Sequence, residues 1–405
     1  MSSPAYRWVV LAVGVVAQAS FAAVSVGLPA LAPALRAHYG LSIAQVGVAL
    51  AAVGGGMIVT MLGWGVLADR IGERRVMSTG LAGGAAAVLV ATRAEGPTQL
   101  VGALAVAGCF GASVNAASGR AVAGWFPPAE RGLAMGVRQS ALPLGGALAA
   151  ATLPTIAGAE DAPRALAVLA GVCAVGALTA AVGMRDPVPV PVTGPTTDPH
   201  PVRDARIWRL TAASFTLVVP QLALLSFVAL YLHDERGLSP VAAGAVLAAA
   251  QVTGVAARIA VGLGSDRLGT RLRLLRALVV VFAGTLVAGA ALLRAPVAVT
   301  AAGLGLAAVL GLCWNGLAFL TVAETAPPSR RGVALGLQNT AVAIAGTLAP
   351  IGFGLAVAAA GWATAFALLP LGPALALTVL APLVRMERAP VQRAPDQRRS
   401  SGAPV

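Results

Sequence analysis

Gly65-Val-Leu-Ala-Asp69-Arg70-Ile-Gly72-Glu73-Arg74-Arg75 sets five charged side chains between two apolar runs, each of membrane-crossing length. A second copy, Gly262-Leu-Gly-Ser-Asp266-Arg267-Leu-Gly269-Thr-Arg271, stands 197 residues further on, in the same setting. A motif recurring at a fixed offset marks an internal duplication. Other pairs agree. Pro127-Pro-Ala-Glu-Arg131-Gly132 answers to Pro327-Pro-Ser-Arg-Arg331-Gly332 at an offset of 200, and Asn115 answers to Asn315.

Outward from these turns the chain is 58% apolar and only 11% charged. Soluble domains carry roughly 25% charged residues, so most of this chain belongs in lipid. Twelve apolar stretches, at 8–31, 42–66, 76–93, 98–124, 133–157, 165–184, 208–232, 240–261, 274–294, 297–323, 332–360 and 362–384, reach the length of about 20 residues that a transmembrane helix needs. All 28 basic residues are Arg, and they fall unevenly across this topology. Arg7, Arg70, Arg74, Arg75, Arg131, Arg185 and most later Arg residues lie on one side. Arg36, Arg93, Arg164, Arg236 and Arg294 lie on the other. The positive-inside rule then places both termini in the cytoplasm of a bacterial plasma membrane. The +13 charge is a topology signal with acidic lipid headgroups as its partner, and it does not indicate nucleic acid.

The two Asp-Arg turns resemble the loop between spans two and three of the major facilitator superfamily, Gly-x-x-x-Asp-Arg-x-Gly-Arg-Arg/Lys. Glu73 stands where that family has its second Arg, which is displaced to Arg74. The resemblance implies an all-α membrane protein of 12 transmembrane helices in two six-helix, pseudo-symmetric bundles. The divisions are 1–184, a Pro-rich cytoplasmic linker at 185–207, 208–385, and a disordered tail at 386–405. It also implies a monomeric transporter that moves a small organic solute by alternating access. Multidrug efflux is one alternative, since Leu142-Pro143-Leu144-Gly145-Gly146 approximates the family's drug-antiporter element. A non-transporting receptor or scaffold with the same fold is another, and retention of both Asp-Arg turns speaks against it.

In the superfamily, spans one, four, seven and ten line the central cavity. The resemblance therefore implies that Gln18, Asn115, Gln221 and Asn315 converge there, flanked by Gln251 and by the Arg138-Gln139 and Gln338-Asn339 pairs. Amides in lipid require partners, so a second reading has them cross-linking helices. Arg120, Arg138 and Arg258 lie within spans near the cytoplasmic side, either as a vestibule for an organic anion or as snorkelling and gate-pairing residues. Arg138 is the strongest substrate candidate, because its repeat partner is the neutral Gln338. Glu324 is expected to pair with Arg258, Arg330 or Arg331.

The resemblance further implies a gate built from Gly65, Asp69, Arg70, Gly72 and Arg74 and from Gly262, Asp266, Arg267 and Gly269. Asp69 faces the start of span eleven near Gly332, and Asp266 faces Gly132. Arg120, Arg258 and Glu324 join this gating set. Proton coupling rests on the resemblance alone.

No enzyme constellation is present. There is no Walker A sequence, and His38, His200 and His233 lack metal-ligand spacing. Cys109, Cys173 and Cys313 sit inside spans as small apolar residues. No cofactor or metal is expected.

Overall fold

The computed structural model describes residues 6–158, 161–186, 203–268, 271–327 and 330–388. Most of the linker and the tail past Arg388 lie outside them. The first span opens as α1 (Tyr6–Ser25) and resumes as α2 (Ala32–Tyr39) after a 3-10 turn at Leu28–Leu31. Pro29 and Pro33 explain the break, since neither supplies an amide proton to the preceding turn. Next come α3 (Ile43–Ile71), α4 (Glu73–Ala91), α5 (Pro97–Trp125), α6 (Pro128–Ala157) and α7 (Ala162–Gly183).

The second half holds α8 (Ala205–Asp234), α9 (Pro240–Leu268), α10 (Arg271–Ala291), α11 (Val297–Thr325), α12 (Arg331–Leu368) and α13 (Leu371–Arg388). α12 contains a sharp turn at Gly361, whose φ of 79° and ψ of 168° suit a residue without Cβ. Residues 331–360 therefore form the eleventh crossing and 362–388 the twelfth. Among the described residues ten helical segments are long and apolar enough to cross a membrane. α4, with its charged first turn, and the crossing after Gly361 complete the twelve. An even number of crossings brings both ends of the described chain to one face, here the terminal face; the other is the distal face.

Within the first half, α1 packs on α5, α6 and α7, α3 packs on α5, and α4 packs on α5 and α7. Within the second, α8 packs on α11, α12 and α13, α9 on α11, and α10 on α11 and α13. In lipid such contacts depend on close backbone approach. A Cβ at Gly56 would lie 1.9 Å from the Ala105 carbonyl oxygen, and one at Gly108 would lie 2.0 Å from that of Val53, which is what allows α3 and α5 to touch.

The halves meet along two repeat-related seams, α3 with α12 and α6 with α9. Both are tight in their distal portions. A Cβ on Gly47 of α3 would fall 2.3 Å from the Pro350 oxygen, and one on Gly244 of α9 would fall 2.5 Å from the Ala150 oxygen and 2.7 Å from Pro154 Cγ. Rings from Phe227, Tyr231, Phe353, Trp362 and Phe366 pack at centroid distances of 5.1–6.2 Å behind the first of these clasps. An Arg36–Asp234 ion pair spans the halves at the distal end.

Toward the terminal face the picture reverses. A Cβ added to Gly63 or Gly65 of α3, Gly136 of α6, Gly262 or Gly264 of α9, or Gly336 of α12 would meet open space. The halves are thus shut distally and splayed at the terminal face.

Candidate functional site

Each half gathers a polar cluster, the amides of α1 and α5 in the first and those of α8 and α11 in the second. Gln18 is fully buried. Its Nε2 donates to Asn115 Oδ1 at 2.8 Å, while its Oε1 accepts from Ser118 Oγ at 3.2 Å and from Arg138 Nη1 at 3.4 Å. Arg138 reaches from α6 into this cluster. Its Nη1 donates to Ser118 Oγ at 2.9 Å and its Nη2 to Gln139 Oε1 at 2.8 Å. Gly119 lies beside it, and a Cβ there would stand 4.0 Å from the guanidinium carbon, an ordinary contact.

The second half repeats the theme with one displacement. Asn315 Nδ2 donates to Gln221 Oε1 at 3.1 Å, matching the pair in the first half. Gln338 replaces the charge of Arg138 and donates to Ser214 Oγ at 2.8 Å. The guanidinium of this half comes instead from α9, where Arg258 Nε donates to the Leu312 carbonyl at 3.1 Å beside Gly316. Both half-buried cations are therefore carried by the two helices of the α6–α9 pair, and each bonds within its own half. The α3–α12 seam presents Gln338 and the exposed Asn339, whose Nδ2 bonds the Leu335 carbonyl of its own helix. The described groups of this centre are amides, hydroxyls and two guanidiniums. A centre of that kind attracts negative charge.

Gln251 departs from expectation. Sequence reasoning grouped it with the residues flanking the cavity; in the structure it is sealed in the α6–α9 seam, about two turns inward of the Gly244 clasp, 1% exposed, with Oε1 against Gly146. The bounded grooves, of about 400 Å³ beside Arg93 and Gln99 and about 230 Å³ between α1, α6 and α7, lie on the outer flank of the first half.

Two ion pairs form at the terminal ends. Glu324 is held by Arg271 at 2.6 Å, a partner that the sequence reading did not name. The start of α10 abuts the end of α11, which brings those two side chains together, while Arg258 lies deeper. Arg120 is bound by Glu73 at 3.3 Å in the equivalent place, where α4 starts beside the end of α5. The acid lies on the earlier helix in the first half and on the later helix in the second. The residue that departs from the superfamily pattern, Glu73, thus has its basic partner in Arg120.

Gly72 has φ 86°, and a Cβ there would fall 2.4 Å from Asp186 Oδ2. Asp186 accepts the Arg74 backbone N–H at 2.9 Å, a carboxylate at a helix N-terminus. Arg74 Nε returns a bond to the Ala181 carbonyl at 2.6 Å. The Asp-Arg turn is thereby fastened to the end of α7, through an Asp that the sequence assigns to the linker. Asp69 and Asp266 fall in α3 and α9, but their carboxylates, like Gly269, lie outside what the structure describes. Arg70 and Arg267 are exposed in the last turns of those helices.

Sequence reasoning missed Ser118 and Ser214, because a lone Ser inside a span carries no signal, and it missed Asp234, which reads as an ordinary helix-end acid.

Comparison with known proteins agrees with this geometry. The sequence model described as Major Facilitator Superfamily matches residues 13–350. A Mycobacterium tuberculosis (strain ATCC 25618 / H37Rv) protein named an uncharacterized MFS-type transporter is 34% identical over 382 residues, covering 92% of this chain and 84% of its own. A probable sulfoacetate transporter of Cupriavidus necator is 26% identical over 372 residues, covering 83% and 84%. In fold, the chain resembles an inward-facing, occupied bacterial homolog of the human lysosomal transporter Spinster, with a TM-score of 0.74, 15% identity and 95% of each chain covered. It likewise resembles the nucleoside transporter NupG, with a TM-score of 0.73, 14% identity and 93% and 99% covered.

Proposed function

The chain belongs to the Major Facilitator Superfamily, and on that premise we propose that it carries a small organic anion across the plasma membrane by alternating access. The carrying observation is the pair of guanidiniums, Arg138 and Arg258, set among amides at the centre of a two-fold bundle. A charge at membrane depth is costly and tends to mark a solute path. The partners of Arg138 are neutral, so its positive charge remains available to a ligand. The sulfoacetate transporter among the relatives supports an anionic solute.

With the terminal face assigned to the cytoplasm by its Arg excess, the splayed geometry is the inward-open state of a monomeric carrier. The turns at Asp69 and Asp266 are read as the latches that close that side in the opposite state. Any proton coupling through Glu73 or Glu324 competes with the ion pair each already makes.

A thermal-shift panel on purified protein tests the substrate class. Small carboxylates or sulfonates should stabilise it, by about 2.7 kcal/mol at a hundredfold excess over Kd. Stabilisation by lipophilic cations, with none by anions, would overturn the proposal in favour of drug efflux.

A further inference from the structure

The two seams between the halves are repeat-related, and they differ at one place. On the α3–α12 seam Gly54 packs against Thr347, with a notional Cβ 2.6 Å from its hydroxyl. At the 197-residue offset of the Asp-Arg turns, Gly54 corresponds to Gln251. On the α6–α9 seam that place is held by Gln251, whose Oε1 would lie 2.4 Å from a Cβ on Gly146, and Gly146 answers to Gly346 at the offset of 200. Closure does not require an amide there, because the sister seam closes with Gly54 at the matching position.

Gln251 is nevertheless 1% exposed, and neither its Nε2 nor its Oε1 has a protein partner among the described residues. Its neighbour Gly146 also approaches Val26, where the first span breaks, with a notional Cβ 2.6 Å from Val26 Cγ1. The amide is therefore caught in the ceiling of the central space, where α6, α9 and the end of α1 meet. An unpaired buried amide is unfavourable, and the same group bonds freely once water or solute reaches it.

We propose that Gln251 is a contact of the opposite state. Left without a protein partner while the distal side is shut, it lines the cavity when α6 and α9 part, and there it takes a hydrogen bond from water or solute. It lies nearer the distal side on the pair of helices that also carry Arg138 and Arg258. A ligand passing along those helices exchanges charged contacts for an amide. The inference concerns the balance of the two states, so it stands apart from whether the solute is an anion.

The test needs no substrate. Spin labels replace Glu95 and Glu235, both exposed in distal loops of different halves, in protein reconstituted in lipid nanodiscs. Gln251→Leu removes the amide, and Gln251→Gly copies the sister seam. Both should move the population toward the distally shut state, by roughly tenfold for relief of one unpaired buried amide. Gln251→Asn, which keeps an amide, should stay near the parent. If the Leu and Gly variants leave the distance distribution unchanged, or open the distal side, the proposal fails; opening would show that Gln251 binds the seam together. A Leu variant that misfolds leaves the Gly variant to decide, since Gly already occupies the equivalent place.

Discussion

Replacing Arg138 by Gln would make α6 match α12 at this position, where Gln338 already serves the repeat. The parent guanidinium has only neutral partners, Ser118 Oγ at 2.9 Å, Gln139 Oε1 at 2.8 Å and Gln18 Oε1 at 3.4 Å. Gln338 shows that an amide on the sister helix bonds a serine at 2.8 Å. Arg138→Gln should therefore fold and purify as the parent does, losing the cation but not the local network. A hydrogen bond involving a charged group contributes roughly 1.5–3 kcal/mol. At about 1.4 kcal/mol per decade, that predicts a loss of roughly 10- to 150-fold in affinity for an anionic solute. Calorimetric titration with the best stabilising anion reads the affinity, and counterflow in proteoliposomes reads the transport. Arg138→Lys should recover part of the loss, because an ammonium restores the charge without the planar fork. An intact Arg138→Gln protein that binds the anion within twofold of the parent would remove this residue from the solute path, and the substrate class argued from it would go too.

Two further perturbations follow from the ion pairs. Arg36→Ala should loosen the distal closure with Asp234, by at most about fivefold in population, since partly exposed pairs contribute about 0.2–1 kcal/mol. The reciprocal exchange, Arg36→Asp with Asp234→Arg, should restore the parent label distances, and failure to do so would assign the closure to the glycine clasps alone. Glu73→Arg restores the superfamily's usual residue but sets it against Arg120, and a lowered melting temperature is expected. Adding Arg120→Glu reproduces the polarity of the Arg271–Glu324 pair and should recover the loss. Recovery no better in the double variant than in Glu73→Arg would show that the two pairs are not equivalent.

How much could be read without the structure differs by residue. Gln18, Asn115, Gln221 and Asn315 were legible as polar groups at depth in duplicated spans, which need partners in lipid; that Gln18 bonds Asn115 and Asn315 bonds Gln221 came from the packing. The partner of Glu324 was not legible. Several Arg residues follow or precede the spans of the second half, and the packing of α10 on α11 brings Arg271 to it. The role of Asp186 was hidden for a similar reason. A single acid at the edge of a Pro-rich segment looks solvated until the end of α7 is seen to meet the Gly72 turn. Gln251 was recognised as a polar group at depth, but its seat depends on which face of α9 turns toward α6.

By itself the sequence determined that the chain is a duplicated bundle of membrane-spanning helices, because hydropathy, repeat offset and Arg placement are one-dimensional properties that lipid enforces on any fold. Only the tertiary structure decided that Arg138 bonds Ser118 and Gln18, that the distal side is shut by Gly47 and Gly244, and that Glu73 pairs with Arg120 and Glu324 with Arg271. Those outcomes turn on helix rotation and seam contact, where a few degrees or one missing Cβ chooses the partner, and hydropathy does not record either.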